Sequence, residues 1–177
     1  MINTLTYKNF TLNFNIDYQV GGKFFSLSEM WGTYSGLLAP TAATNDKGMN
    51  VRDDVSLGGG VHVVGVSSAD LKTPVDTYVD AQTYFHGLGG GNAIADPFLH
   101  SLTYVKLREV SIGYNLPVGK WGVRWIKGIN ASLLGRNLLL IYRETNNFDP
   151  SEISNVQGED GQLPGTRSLG VNFKFNF

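Results

Sequence analysis

The chain has 177 residues and a formal net charge of −1, from 14 basic and 15 acidic residues. That balance excludes the basic surface that a nucleic-acid partner demands, and the absence of cysteine excludes disulfides and thiolate metal sites. Mean hydropathy is −0.10 and no apolar run approaches about 18 residues, so no transmembrane helix is expected; membrane β-strands stay open, because their hydropathy signal is weaker.

The opening Met-Ile-Asn-Thr-Leu lacks the charged and apolar regions of a signal peptide. An exported protein with this sequence is therefore expected to be a mature piece or a fragment. Thr4 to Thr6 read as the tail of a strand, and Tyr7-Lys8-Asn9 as a tight turn. A long strand follows over 10–20. Phe10, Leu12, Phe14, Ile16, Tyr18 and Val20 share one face; Thr11, Asn13, Asn15, Asp17 and Gln19 share the other. Gly21-Gly22 ends it.

Residues 21–102 stand apart. Ser26 to Trp31 predict a short helix, with Ser26 as N-cap and Glu29 at the capping-box position. The rest is rich in Gly, Asp, Thr and Ser, with few periodic runs. About 80 residues without regular structure suit a compact soluble domain poorly and an extracellular barrel loop well.

Residues 104–116 predict the next strand. Val110, Ile112, Tyr114 and Leu116 lie on one face, but upstream the parity reverses to Val105 and Leu107; a β-bulge near Arg108 accounts for the slip. Pro117 closes this strand. The connection over 117–128 holds Trp121 and Trp125, which suit an interfacial aromatic girdle. Residues 129–142 form a strand of less clean alternation, and 143–166 read as a long polar loop. The final strand, 167–177, sets Leu169, Val171, Phe173, Phe175 and Phe177 against Ser168, Gly170, Asn172, Lys174 and Asn176. A strand of this length at about 3.3 Å per residue, tilted by about 45°, covers roughly the 25 Å apolar band of a membrane barrel. Every short turn then falls on one side and every long loop on the other, as in such barrels.

Four segments carry a family resemblance. Thr6-Tyr7-Lys8-Asn9-Phe10-Thr11-Leu12, Tyr104-Val105-Lys106-Leu107-Arg108-Glu109 through Pro117, Gly135-Arg136-Asn137-Leu138 with Asp149-Pro150, and Leu163-Pro164-Gly165-Thr166-Arg167-Ser168 occur in that order. They resemble motifs of the SusC/RagA-type TonB-dependent outer-membrane transporters. One departure is Ser151, which displaces the acidic residue from Pro150 to Glu152. The resemblance covers most of the chain except about 38–100. It implies an all-β fold: C-terminal strands of a large transmembrane antiparallel β-barrel, about 22 strands when complete, with long extracellular loops. Residues 1–20 would be barrel strands, 21–102 a large extracellular loop region, and 103–177 the last three strands, with a periplasmic turn at about 117–128. Five strands cannot close a barrel, so the plug, the TonB-contacting N-terminal parts and the rest of the barrel lie outside this chain. Such transporters import oligosaccharides or oligopeptides through the outer membrane of Gram-negative, Bacteroidetes-like bacteria, with a SusD-like surface lipoprotein as lid and energy from the TonB complex. The resemblance also implies that the last strand, with Val171, Phe173, Phe175 and Phe177, is an assembly signal.

No enzymatic motif stands out. His62, His86 and His100 lack zinc spacing. Gly65-Val66-Ser67-Ser68-Ala69 lacks the second Gly of a nucleophile elbow. Gly87-Leu88-Gly89-Gly90-Gly91-Asn92 lacks the last Gly of a dinucleotide fingerprint and reads as a flexible loop. Asp53, Asp54, Asp70, Asp76 and Asp80 offer oxygen ligands for calcium without EF-hand spacing, and a solvated loop is the favoured reading. No cofactor or metal is expected. Trp31, Tyr34, Tyr78, Tyr84, Phe85 and His86 are the candidates for contact with substrate or lid, since aromatic faces stack on sugar rings and pack against proteins. From another class, a soluble secreted β-sandwich that binds carbohydrate would share the alternating strands and aromatic residues. A porin-like channel without energy coupling is a third reading.

Overall fold

A computed structural model describes residues 1–89, 94–122, 125–153 and 158–177. The chain divides into two compact units. The first comprises Met1–Phe24, His100–Ser154 and Gln162–Phe177; the second comprises Phe25–Leu99 and Asn155–Gly161.

The first unit is built on a five-stranded antiparallel sheet of β1 (Ile2–Tyr7), β2 (Phe10–Gln19), β7 (Tyr104–Leu116), β8 (Gly128–Arg143) and β9 (Ser168–Asn176), in the order β1-β2-β7-β8-β9. Lys8-Asn9 is the two-residue turn between β1 and β2, and Lys8 takes a positive φ of 53°. The registers align the apolar rows. Leu12 pairs with Ile112, Ile112 with Leu133, and Leu133 with Val171; one step on, Tyr114 pairs with Ala131 and Ala131 with Phe173. Polar residues occupy the other face, where Asn13 pairs with Ser111 and Asn130 with Lys174.

The parity slip at Arg108 has its cause in the register. Asn15 pairs with Glu109 and Ile16 with Leu107, so Arg108 is an extra residue relative to β2. Across the other ladder the extra residue belongs to β8: Leu107 pairs with Leu139 and Glu109 with Arg136, leaving Asn137 and Leu138 opposite Arg108. Asn137 sits at φ 55°, a left-handed conformation that Asn tolerates better than most residues. That irregularity is why 129–142 alternates less cleanly.

The apolar face is open. Ile112 is 51% exposed, Leu133 61%, Val171 64% and Phe173 59%. A sandwich requires a second sheet on that face, and the sandwich expectation therefore fails on the exposure of its own core positions. Both edge strands, β1 and β9, also present unpaired backbone. Trp125 stacks on Phe177 with ring centroids 5.8 Å apart, and Lys127 Nζ donates to the Phe177 carbonyl at 3.0 Å.

The second unit has more regular structure than its sequence suggests. Ser26 caps α1 (Leu27–Tyr34), accepting the Glu29 N–H at 3.1 Å, and the helix extends past the expected Trp31. Beyond it come β4 (Val61–Val66) and β5 (Pro74–Val79), paired as a hairpin, and α2 (Ala81–Leu88) capped by Asp80. These elements escape the pattern search because each is short and half exposed. The expected irregular insert is thus corrected to a small α+β unit, whose buried apolar residues include Met30, Val51, Ala81 and Phe98. The chain passes between the units through the short strands β3 (Lys23–Phe25) and β6 (Leu99–Ser101), which pair with each other.

Candidate functional site

On the polar face of the sheet the structure ties two of the sequence motifs together. Lys106, whose side chain is 3% exposed, donates to Asp149 Oδ2 at 2.7 Å, to Glu152 Oε1 at 2.7 Å and to Ser151 Oγ at 2.9 Å. Arg108 reaches the same Glu152 oxygen at 3.0 Å, the Ser151 carbonyl at 2.9 Å and Asp17 Oδ2 at 3.0 Å. Tyr104 donates to Asp17 at 2.8 Å. The acidic residue displaced by Ser151 is therefore the one that bridges Lys106 and Arg108. Asp149 also caps the short 3-10 turn Pro150–Glu152, accepting from Ser151 N. Burial pushes the Asp149 carboxyl up, but hydrogen bonds from Lys106 and Ser151 hold it below its ordinary value. Glu152 is held low mainly by its hydrogen bond from Lys106. Close approach matters here too: a Cβ on Gly165 would lie 2.7 Å from Asn137 Nδ2 and 2.8 Å from Glu152 Cδ, so the Pro-Gly-Thr-Arg motif needs its glycine.

In the second unit, Glu159 is 5% exposed and gathers Ser26 Oγ at 2.6 Å, Ser28 Oγ at 2.8 Å and Gly161 N at 2.7 Å. Desolvation raises its pKa, yet the bonds from Ser26 and Ser28 bring it below the ordinary value. This hub fixes the start of α1.

The aromatic candidates separate into two groups. Trp31 packs edge-on against Tyr34 at 5.6 Å, and Tyr34 stacks on His86 at 4.2 Å with 13° between planes. Tyr84 and Phe85 contact each other at 5.2 Å. Tyr34, Phe85 and His86 line a cavity of about 370 Å³ together with Ser35, Arg52, Asp80 and Gln82. Tyr78 belongs elsewhere. It stacks on His62 at 4.6 Å and 6°, donates to Asp46 at 2.6 Å, and carries Lys47 Nζ 3.3 Å from its ring centroid. His62 meets Asp46 through Nδ1 at 2.9 Å and Asp76 through Nε2 at 2.8 Å. Two carboxylates on two ring nitrogens favour the imidazolium, so the His62 pKa is raised, chiefly by Asp76. The bond to Asp46 holds the Tyr78 hydroxyl up to about 12.

The acidic residues weighed for calcium have local roles. Asp54 accepts from Ser56 N, Asp70 from Lys72 N and Thr73 N, and Asp80 from Thr83 N. Among the described residues no group of three or more His, Cys, Asp or Glu is arranged to hold a metal. Gly65 and Val66 end β4, and Ser67 to Ala69 form its turn. The stretch 90–92 of the Gly-rich run lies outside the described residues. Sequence reasoning missed Arg52 and Gln82 at the cavity, weighed Asp80 only for calcium, and did not bring His62, Asp46, Asp76 and Tyr78 together; nothing in their spacing marks these groupings.

Comparison with known proteins places this geometry. No family model matches the chain. It is 29% identical to TonB-dependent receptor P26 of Formosa agariphila and 25% identical to TonB-dependent receptor P3 of the same organism, each match covering 98% of this chain and 16% of the relative. The chain thus spans 16% of the length of these curated relatives. In fold it is similar to a chain of the RagAB peptide importer in its open-open state, with a TM-score of 0.55 and 18% identity over 97% of this chain and 16% of that one. A second RagAB structure, of the peptide transporter, gives the same TM-score and identity over 95% of this chain and 15% of that one. Along nearly its whole length the chain is similar to a segment of TonB-dependent receptors, and in fold to a segment of the RagAB importer. The five-stranded sheet is accordingly barrel wall, and the open apolar face of the receptor segment is the face that meets lipid. The sequence relatives are named TonB-dependent receptors, which are outer-membrane proteins, and the fold neighbours belong to a peptide importer.

Proposed function

We propose that this chain is the C-terminal stretch of a receptor that imports large nutrients, oligosaccharides or oligopeptides, through the outer membrane of a Gram-negative, Bacteroidetes-like bacterium. A SusD-like lipoprotein captures ligand at the surface, and the TonB complex supplies energy through N-terminal parts outside this chain. The observation that carries this reading is the sheet with one continuous apolar face and one polar face, in a chain related to TonB-dependent receptors along 98% of its length.

On this reading, residues 21–102 and 143–166 are extracellular and 117–128 is a periplasmic turn. The sheet supports that sidedness, since Lys8-Asn9 and the 117–128 connection leave from one end of the strands and the long connections from the other. The row Val171, Phe173, Phe175 and Phe177 is the segment offered to the assembly machinery. Trp31, 51% exposed on α1, and the half-buried Tyr84 and Phe85 on α2 are aromatic residues suited to lid or ligand.

The test is the full-length receptor with Trp31, Tyr84 and Phe85 all changed to Ala. Uptake of labelled nutrient by cells and co-purification of the lipoprotein are measured against the parent. At least one is expected to fall tenfold or more at equal receptor levels. If both persist unchanged, these residues have no such role.

A further inference from the structure

We infer that the second unit carries a binding pocket for one ring-sized unit of a neutral saccharide, walled by Tyr34, Arg52, Asp80, Gln82, Phe85 and His86. The inference rests on the import reading above and narrows it to one ligand class at one site.

The cavity of about 370 Å³ lies at the small end of ligand pockets, which run from about 300 to 1,000 Å³. It has room for a ring, not for a folded chain. Four of its wall residues, Arg52, Asp80, Tyr34 and His86, are held before any ligand arrives. Arg52 Nε donates to the Thr41 carbonyl at 2.8 Å, and Nη2 donates to Thr41 Oγ at 2.8 Å and to the Gly36 carbonyl. Those bonds hold the guanidinium plane and leave Nη1 with no bond to a described residue. Asp80 is held as the cap of α2, where Oδ2 accepts from Thr83 N at 3.0 Å and Thr83 Oγ at 3.2 Å, so Oδ1 remains for a ligand. Tyr34 and His86 are locked face to face at 4.2 Å. A site whose groups are already ordered loses less entropy on binding.

The chemistry of these walls selects the ligand. A guanidinium, a carboxylate and the Gln82 amide are planar groups that offer adjacent donors or acceptors, matching the paired hydroxyls of a sugar ring. Aromatic rings match its apolar C–H faces. One cation faces one anion, so the lining favours no net charge on the ligand. A peptide asks for something else: an open strand edge for its backbone, or capture of a charged terminus. Helix ends and a loop provide no such edge.

The experiment uses the full-length receptor in detergent and isothermal titration with three sets of probes. These are neutral hexose oligosaccharides of several linkages, an oligomer of uronic acid, and penta-alanine. The variants are Gln82→Ala and Phe85→Ala, singly and together, with receptor yield and heat-modified mobility as folding controls. A neutral oligosaccharide is expected to bind the parent and to lose tenfold or more in affinity in the double variant, with the controls unchanged. Binding that survives the double variant overturns the pocket. So does binding of only the uronic acid or only the peptide, or of no probe. Uptake of labelled nutrient by cells carrying the parent receptor is measured alongside: binding that survives the double variant overturns only the pocket, whereas absence of uptake in the parent would overturn the import reading itself.

Discussion

Replacing Lys106 by Met is expected to destabilise the folded receptor by about 3–5 kcal/mol, the cost of removing one partner from a buried charge cluster. The side chain is 3% exposed and holds two carboxylates at 2.7 Å. Without it, Asp149 and Glu152 stay close and uncompensated, and Arg108 alone cannot serve both. The segment Pro150–Glu152 should come away from the polar face of β7. In the full-length receptor this reads as a lower urea midpoint and as proteolysis within 143–166. Adding Asp149→Asn and Glu152→Gln to the Met variant should recover much of the loss, because the uncompensated charge is then gone. A single variant as stable as the parent would remove the cluster from the account. Acid should imitate the substitution. Asp149 and Glu152 have folded values below their ordinary 3.8 and 4.5. Their contribution is therefore fully present above about pH 5 and is lost as pH falls through the lowered folded values.

The second large effect belongs to the lipid face. Phe173 pairs with Ala131, lies near the middle of β9, and is 59% exposed in the segment alone. Phe173→Arg should cost about 2–4 kcal/mol if the site is near the bilayer midplane. The same change at the neighbouring Asn172, on the polar face, should cost little. Receptor levels in isolated outer membranes measure the difference. Equal levels for the two variants would mean that the faces are assigned wrongly.

Much of this was legible in the sequence, and the reasons differ by element. β2 and β9 alternate without interruption because each faces lipid on one side and polar surroundings on the other along its whole length. The slip at Arg108 was legible as a bulge because parity is counted residue by residue. Its second half, at Asn137 and Leu138, was hidden, since Leu138, Leu139 and Leu140 read alike on either face. The charge cluster was half visible: its two ends are motifs, but nothing in either says that Lys106 and Glu152 meet. In the second unit the sequence showed α1 through Ser26 and Glu29, yet gave no sign of the Val61–Val66 hairpin arm or of α2. Of these two elements the strand fully buries no residue and the helix only Ala81, too few to write a period. The cavity gathers residues 34 to 86 from helix ends and loops; beforehand only its aromatic members were singled out for ligand contact, and Asp80 only for calcium.

The central claim is that one face of this sheet meets lipid and the other a polar interior. The segment has no cysteine, and single Cys residues are placed at successive positions from 169 to 176 of a full-length receptor whose other cysteines, where it has any, are first changed to Ser. Labelling in intact outer membranes with a water-soluble, membrane-impermeant maleimide then reads the faces directly. The account predicts alternation: reaction at 170, 172, 174 and 176, and protection at 169, 171, 173 and 175. Uniform labelling along β9, or the opposite alternation, would contradict it.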